Sequence, residues 1–229
     1  HIHSCRRPID LFLFDLDGTL AATGEDLVCS VQYALEKLGL PDPGPEQIIS
    51  FVGDGIETLI ARTLGPHHQE HTSAALAFFH AHHQEHLLDH TVLYPGVRQC
   101  LKAFHRHKKV VLTNKREAFA RKILEALGVS GFFDGLIGGD SQPFMKPDPR
   151  LVFPLLQTFQ AAPERTVIVG DGRNDILLGK NAGIVSCAFM GGLTQREILL
   201  ELCPDFVCEN LVELLSLIHI SEPTRQAEI

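Results

Sequence analysis

No apolar run in this 229-residue sequence approaches the roughly 18–20 residues that cross a bilayer. Nor does a basic segment lead into an apolar one at the start, so the pattern of a secretion signal is missing. These absences read as a cytoplasmic protein with no membrane partner. The six cysteines (Cys5, Cys29, Cys100, Cys187, Cys203, Cys208) form no CxxC pair, and they read as reduced, mostly buried thiols rather than a disulfide or zinc framework. Positive charge is in short supply. Twenty Lys and Arg against 28 Asp and Glu leave a formal net charge of −8, which argues against a broad electrostatic hold on nucleic acid. Internal repeats and low-complexity segments are also missing. The chain opens on His1, and from Leu217 the text LIHISEPTRQAEI turns from apolar to polar. Residues 217–229 are therefore expected to be a non-native tail outside the fold.

What is present is an alternation. Ile9–Phe14 is a nearly continuous apolar run, as a strand buried on both faces requires, and Lys109–Thr113, Gly135–Gly139, Thr166–Gly170 and Val185–Met190 repeat it. Helical spacing fills the intervals at about Val97–His107, Glu117–Leu127, Pro149–Gln160 and Arg173–Ala182. Strands alternating with helices predict an α/β fold with a parallel sheet covered on both faces. The expected strands end in polar residues, Asp15, Thr113-Asn114, Asp140 and Asp171. Sites in such sheets form beyond the carboxyl ends of strands, so these residues are expected to converge. From Ala21 to Thr91 no strand is readable. Helices expected at Glu25–Leu38, Pro45–Phe51, Gly55–Leu64 and His68–Asp89 form an inserted helical lobe. The resulting division is 8–20 with 92–216 as the α/β core and 21–91 as the lobe.

The chemistry-bearing residues sit where that sheet would put them. In DLDGTL, Asp15 at a strand end can present a carboxylate nucleophile, and Asp17 can serve as general acid and then base. Gly18 allows close backbone approach to a phosphoryl group, and Thr19 can fix the turn. Thr113 and Asn114 follow the next strand, where a hydroxyl and an amide can bind phosphoryl oxygens or cap the following helix. Lys146, stiffened by Pro147, can balance phosphoryl charge. Asp171 and Asp175 in VIVGDGRND are spaced to face one Mg²⁺, or to cap the next helix.

In this order, DxDGT, TN, K and GDxxxD resemble the four motifs of the haloacid dehalogenase superfamily over about residues 8–216. TNK at Thr113–Lys115, GGD at Gly138–Asp140, KPDP at Lys146–Pro149 and FVGDGIETLI in the lobe are most similar to phosphoglycolate phosphatases. The resemblance implies a Rossmann-like core with a small α-helical cap inserted in it. It also implies Mg²⁺-dependent hydrolysis of a small phosphorylated metabolite through an aspartyl-phosphate. The implied catalytic residues are Asp15, Asp17, Thr113 and Lys146; Gly18, Asn114 and Lys115 would bind substrate. Mg²⁺ would be held by Asp15, Asp17 (through its carbonyl) and Asp171, with Asp175 in support. A phosphosugar mutase, a pyrophosphatase or nucleotidase, or a non-catalytic binding relative would carry a related pattern, and the oligomeric state is left open. Gly172 stands where relatives often have serine. Asp54, between Gly53 and Gly55, reads as a helix-to-helix turn; facing the site, it would disfavour a strongly anionic substrate.

Eight of the 13 histidines fall within His67–His90. The pairs His67/His71, His82/His86 and His86/His90 have the i,i+4 spacing of a metal site, but without further ligands they read as a solvated helix.

Overall fold

The computed structural model describes residues 7–219. The chain enters through a short strand, β1 (Arg7–Pro8), and then β2 (Leu11–Phe14), whose LFLF text is buried throughout. The lobe follows a two-residue strand, β3 (Ala21–Ala22). It consists of α1 (Gly24–Leu38), α2 (Pro45–Ser50), α3 (Ile56–Leu64) and α4 (Thr72–His86). The chain returns through β4 (Val92–Leu93), α5 (Val97–Ala103), β5 (Lys108–Leu112), α6 (Glu117–Ala126) and β6 (Gly135–Ile137). After α7 (Phe153–Phe159) come β7 (Thr166–Gly170), α8 (Arg173–Ala182), β8 (Val185–Phe189), α9 (Arg196–Glu201) and β9 (Phe206–Cys208). A short α10 (Leu214–Leu217) and β10 (Ile218–His219) end the described chain. None of its helices is long and apolar enough to cross a membrane.

Six strands form one parallel sheet in the order β6-β5-β2-β7-β8-β9. With period-2 alternation, β2 sends Phe12 and Phe14 into one apolar layer and Leu11 and Leu13 into the other. Val111 and Val169 join the first layer, while Val110 and Ile168 join the second. A strand covered on both faces has no position for a polar residue until it ends, and that is why these strands read as apolar runs. The lobe has its own apolar centre, built from Val31, Leu35, Ile48, Ile60 and Phe79.

Three expectations change. Ala21–Ala22 and Val92–Leu93 pair antiparallel across the two lobe connections, in a stretch that reads as strand-free. The sixth strand, β9, escapes the apolar pattern because it is a three-residue edge strand. Leu217 packs against the core and Ile218–His219 pairs in parallel with β1, so the fold includes the first residues of the expected tail. The rest of that tail, 220–229, and Cys5 lie outside the described residues. Cys100, Cys187 and Cys208 are buried thiols, whereas Cys203 is exposed.

The lobe connections meet at Asp26, in the first turn of α1 and almost fully buried. Its carboxylate accepts from the His90 N–H and Nδ1 and from the Thr91 N–H and hydroxyl, at 2.7–3.0 Å. Burial raises the Asp26 pKa, but these bonds from Thr91 and His90 outweigh it and hold the group below its ordinary value. Its stabilising contribution is therefore full above the unfolded carboxylate pKa and is lost as pH falls through the lower native value. Asp26→Ala is expected to cost about 2–4 kcal/mol, because it strands those donors. Urea unfolding at pH 7 and at pH 3 checks this: the gap between variant and parent should narrow at the lower pH.

Candidate active site

The register of the central strands sets the site. Asp15 stands one residue past β2, Thr113 one past β5 and Asp171 one past β7, and the Asp15 N–H donates to the Val169 carbonyl at 3.0 Å. Together with Asp17, Asn114, Lys115, Lys146 and Asp175 they line one cavity of about 630 Å³ between the sheet and the lobe. Of the strand-end residues expected to converge, Asp140 is not among the cavity-lining residues. It accepts the Glu117 N–H at 2.8 Å and satisfies the start of α6 instead.

Lys146 holds the acidic centre. Its Nζ lies 3.0 Å from Asp15 Oδ1 and 2.6 Å from Asp175 Oδ1, with all three groups largely withdrawn from solvent. Burial disfavours the ammonium, but the two carboxylates more than reverse that and raise its pKa. Asp15 is raised well above the ordinary carboxylate range by burial and by Asp175, against the lowering effect of Lys146. Asp15 Oδ1 also accepts the Leu16 N–H at 2.8 Å; among the described residues no hydrogen bond reaches its Oδ2. Asp175 is more engaged, because its second oxygen accepts the Gly172 N–H at 3.0 Å. That bond is made by the backbone, so it needs no serine at position 172.

Asp171 ties the first motif to the fourth. Thr19 donates its hydroxyl to Asp171 Oδ1 at 2.8 Å and accepts the Asp171 N–H at 3.0 Å. The Leu193 N–H donates to Oδ2 at 2.7 Å. Burial and the Asp175 charge push Asp171 up to about 7. Gly18 belongs to this packing and not to the cavity wall: a Cβ there would lie 2.1 Å from Asp171 Oδ2. A glycine at this position thus makes room for the Asp171 carboxylate. Gly192 is needed for the same reason, since a Cβ there would meet the Asp171 Cβ and the Gly18 carbonyl oxygen at 2.3 Å.

Asp17 accepts the Thr23 hydroxyl at 2.6 Å and Lys115 Nζ at 2.9 Å, both at Oδ1. Burial raises its pKa, but Lys115 and Thr23 together bring it below the ordinary value. Lys115 is thus committed to Asp17. Asn114 is committed as well: its amide donates to the Gly53 and Lys146 carbonyls and accepts the Lys146 N–H. The Thr113 hydroxyl accepts the Lys115 N–H at 3.1 Å, which leaves its own proton for another acceptor in the cavity.

From the lobe, Asp54 does face the cavity, so the turn reading was incomplete. It accepts Arg62 Nη1 at 2.6 Å and, across to α8, the Asn174 amide at 2.7 Å. Burial raises it, and Asn174 and Arg62 lower it further than that. The Asp54 charge is therefore spoken for. Sequence reasoning passed over Arg62, Arg173, Asn174, His83 and the Leu193-Thr194 turn, all of which line the cavity. Gly191-Gly192 just past β8 was the readable signal for the last of these.

The histidine pairs serve other ends. His82 and His86 stack at 4.2 Å, with Nδ1 of the first near Ser30 and Nδ1 of the second on Asp89. His90 is held by Asp26. His68, Glu70 and His71 bring ligand atoms within 4.8 Å of one another on a turn before α4, where Glu70 is exposed and both histidines are half-buried.

The sequence model described as haloacid dehalogenase-like hydrolase matches residues 12–189. The chain belongs to that family. It is 36% identical over 214 residues to phosphoglycolate phosphatase 1 of Pseudomonas aeruginosa, covering 90% of this chain and 78% of the relative. It is 35% identical over 226 residues to the phosphoglycolate phosphatase of Vibrio cholerae, covering 94% and 99%. Among solved structures, a predicted phosphoglycolate phosphatase from Haemophilus somnus superposes with a TM-score of 0.85 at 27% identity, over 90% of this chain and 96% of that one. A haloacid dehalogenase-like family protein from Streptococcus pneumoniae gives 0.82 at 28%, over 91% and 97%. The expected α/β fold and the expected family therefore hold.

Proposed function

We propose that this member of the haloacid dehalogenase-like hydrolases is a Mg²⁺-dependent phosphatase of small phosphomonoesters, 2-phosphoglycolate foremost, acting through an aspartyl-phosphate on Asp15. The observation that carries the reading is the pairing of two aspartates with two different lysines in one cavity. Asp15 meets Lys146 and leaves one oxygen open, while Asp17 meets Lys115 and Thr23. An open carboxylate oxygen on Asp15 and a second carboxylate two residues on, held from the other side of the cavity, are placed for attack and for proton transfer respectively.

In this scheme Asp15 Oδ2 attacks phosphorus in line with the departing oxygen, and the P–O ester bond breaks as the acyl phosphate forms. Asp17 gives the leaving alkoxide its proton. Its lowered pKa in the empty cavity suits the second half, when it takes a proton from the water that hydrolyses the acyl phosphate. Entry of the anionic phosphoryl group would raise that pKa for the first half. Lys146 and the Thr113 hydroxyl would balance and orient the phosphoryl oxygens. Asn114 would act by fixing Lys146.

The donor set fits a hard divalent cation: Asp15, Asp171 and Asp175 bring carboxylate oxygens within 4.8 Å of one another, and a single lysine offsets their charge. Asp15, Asp171 and the Asp17 carbonyl would hold Mg²⁺, with Asp175 as support. When bound, the ion would neutralise charge between nucleophile and phosphoryl group. Treatment with EDTA is expected to reduce phosphate release to about 1% or less, with recovery on adding Mg²⁺. Undiminished release in the chelator would overturn the metal assignment.

The substrate half of the reading rests on the relatives and on the lobe. Both named relatives are phosphoglycolate phosphatases. With Asp54 held by Arg62 and Asn174, its charge no longer argues against an anionic substrate. Release of phosphate from 2-phosphoglycolate, pyrophosphate, hexose phosphates and nucleotides should favour the first. A hexose phosphate or nucleotide preferred tenfold would overturn that choice while leaving the phosphatase.

A further inference from the structure

Among the described residues, His83 is the one cavity-lining residue with a buried side-chain polar atom that has no partner. It lies on α4 with 1% of its surface exposed. One ring face stacks on Phe79, with centroids 4.9 Å apart, and Phe119 meets it edge-on at 5.2 Å. Nδ1 is 2.9 Å from the hydroxyl of the buried Ser30 on α1. Nε2 is buried and has no hydrogen-bond partner among the described residues. A buried polar atom in that condition is costly and calls for a reason. Three other side-chain nitrogens share the condition, on His80, His107 and Arg165, but none of those residues lines the cavity.

We propose that His83 is a specificity-determining residue whose Nε2–H donates a hydrogen bond to a carboxylate on the organic half of the phosphomonoester. The ring shares the cavity with Asp15, Asp17 and Lys146, so a substrate with its phosphorus at Asp15 extends toward the lobe that carries it. The Ser30 hydroxyl lies 2.9 Å from Nδ1 of His83 and 3.1 Å from Nδ1 of His82, and with its proton on the nearer of the two the His83 ring proton sits on Nε2. Ser30 is thus a positioning residue for His83. Burial and the charge of Lys115 push the imidazole down to about 3, so it meets the substrate neutral. A neutral donor can enter an apolar wall of Leu27, Phe79 and Phe119 without bringing a second buried charge.

The inference rests on the phosphatase reading, and the test separates the two. Phosphate release is measured on 2-phosphoglycolate, on 2-hydroxyethyl phosphate, which has a hydroxymethyl group in place of the carboxylate, and on p-nitrophenyl phosphate. The quantity of interest is the ratio of kcat/KM for 2-phosphoglycolate to that for p-nitrophenyl phosphate. His83→Phe keeps a ring among aromatic neighbours and removes the donor; it should lower this ratio by about tenfold to a hundredfold, mainly through KM for 2-phosphoglycolate. His83→Gln keeps an N–H donor and should recover most of the ratio. Ser30→Ala should lose part of it, and this milder change carries the test should His83→Phe not fold. Parallel losses on all substrates, or an unchanged ratio, would overturn the assignment and leave His83 a packing residue. A loss confined to 2-hydroxyethyl phosphate would overturn the carboxylate. If the unaltered protein releases phosphate from none of the three, the phosphatase reading itself falls, and His83's role falls with it.

Discussion

Asp15→Asn is expected to reduce phosphate release by at least about 10⁴-fold while leaving the melting temperature close to that of the parent. Asparagine has the same shape, and its carbonyl oxygen can still accept the Leu16 N–H. The strand geometry therefore survives, as do the Asp15 N–H bond to Val169 and the surrounding apolar layers. What disappears is the open carboxylate oxygen at the end of β2. An amide also removes one of the negative charges that crowd Asp171 and Asp175, which offsets the lost attraction to Lys146. Phosphate release and thermal unfolding on the same sample provide the check. Turnover within tenfold of the parent would show that the nucleophile is another group.

Lys146→Met should be almost as damaging and should also destabilise the protein. Methionine matches much of the volume but leaves Asp15 and Asp175 without their common cation. Removing one partner from a buried ionic cluster costs about 3–5 kcal/mol, unless the remaining carboxylates take up protons. Protonation is the easier route here, because burial and mutual repulsion already raise Asp15. A protonated Asp15 is not a nucleophile, so relief of the stability loss is paid in activity. A fall of about 10³-fold in kcat is expected, with urea unfolding showing a lower midpoint. Lys146→Arg should not rescue it, since a planar fork cannot take the place of a point charge lying 2.6 Å and 3.0 Å from two separate carboxylates. Activity near the parent level in Lys146→Met would remove this lysine from the chemistry.

The parts of this molecule legible in the sequence are those where one physical rule decides. β2, β5 and β7 are buried on both faces, so their apolar runs announce them, and the first polar residue after each run lines the cavity for the same reason. Asp15, Thr113 and Asp171 were therefore readable from position alone. β3, β4 and β9 have two or three residues each, too few for any period to show. The larger failures concern what a polar side chain does once it arrives. Asn114 and Asp140 both follow expected strands, yet one spends its amide fixing Lys146 and the lobe, and the other closes a helix start. Gly18 also makes room for the Asp171 carboxylate, much further along the chain, which no local pattern announces. His83 was hidden among eight histidines, because helical spacing reveals which face is buried and not which buried atom lacks a partner. Each of these depends on residues distant in the chain, and no local pattern encodes them.

Asp26 has a consequence for how such an enzyme can be rebuilt. The residue clasps the outgoing and returning strands of the lobe at one knot, and the β3–β4 pairing lies beside it. Anything spliced between the clasped ends is then presented to the sheet from the same doorway, whatever its length. A graft from a relative that retains Asp26, His90 and Thr91 should inherit the docking angle and change only the walls of the chamber. One that replaces the knot along with the helices would have to establish its own orientation before any new wall could matter.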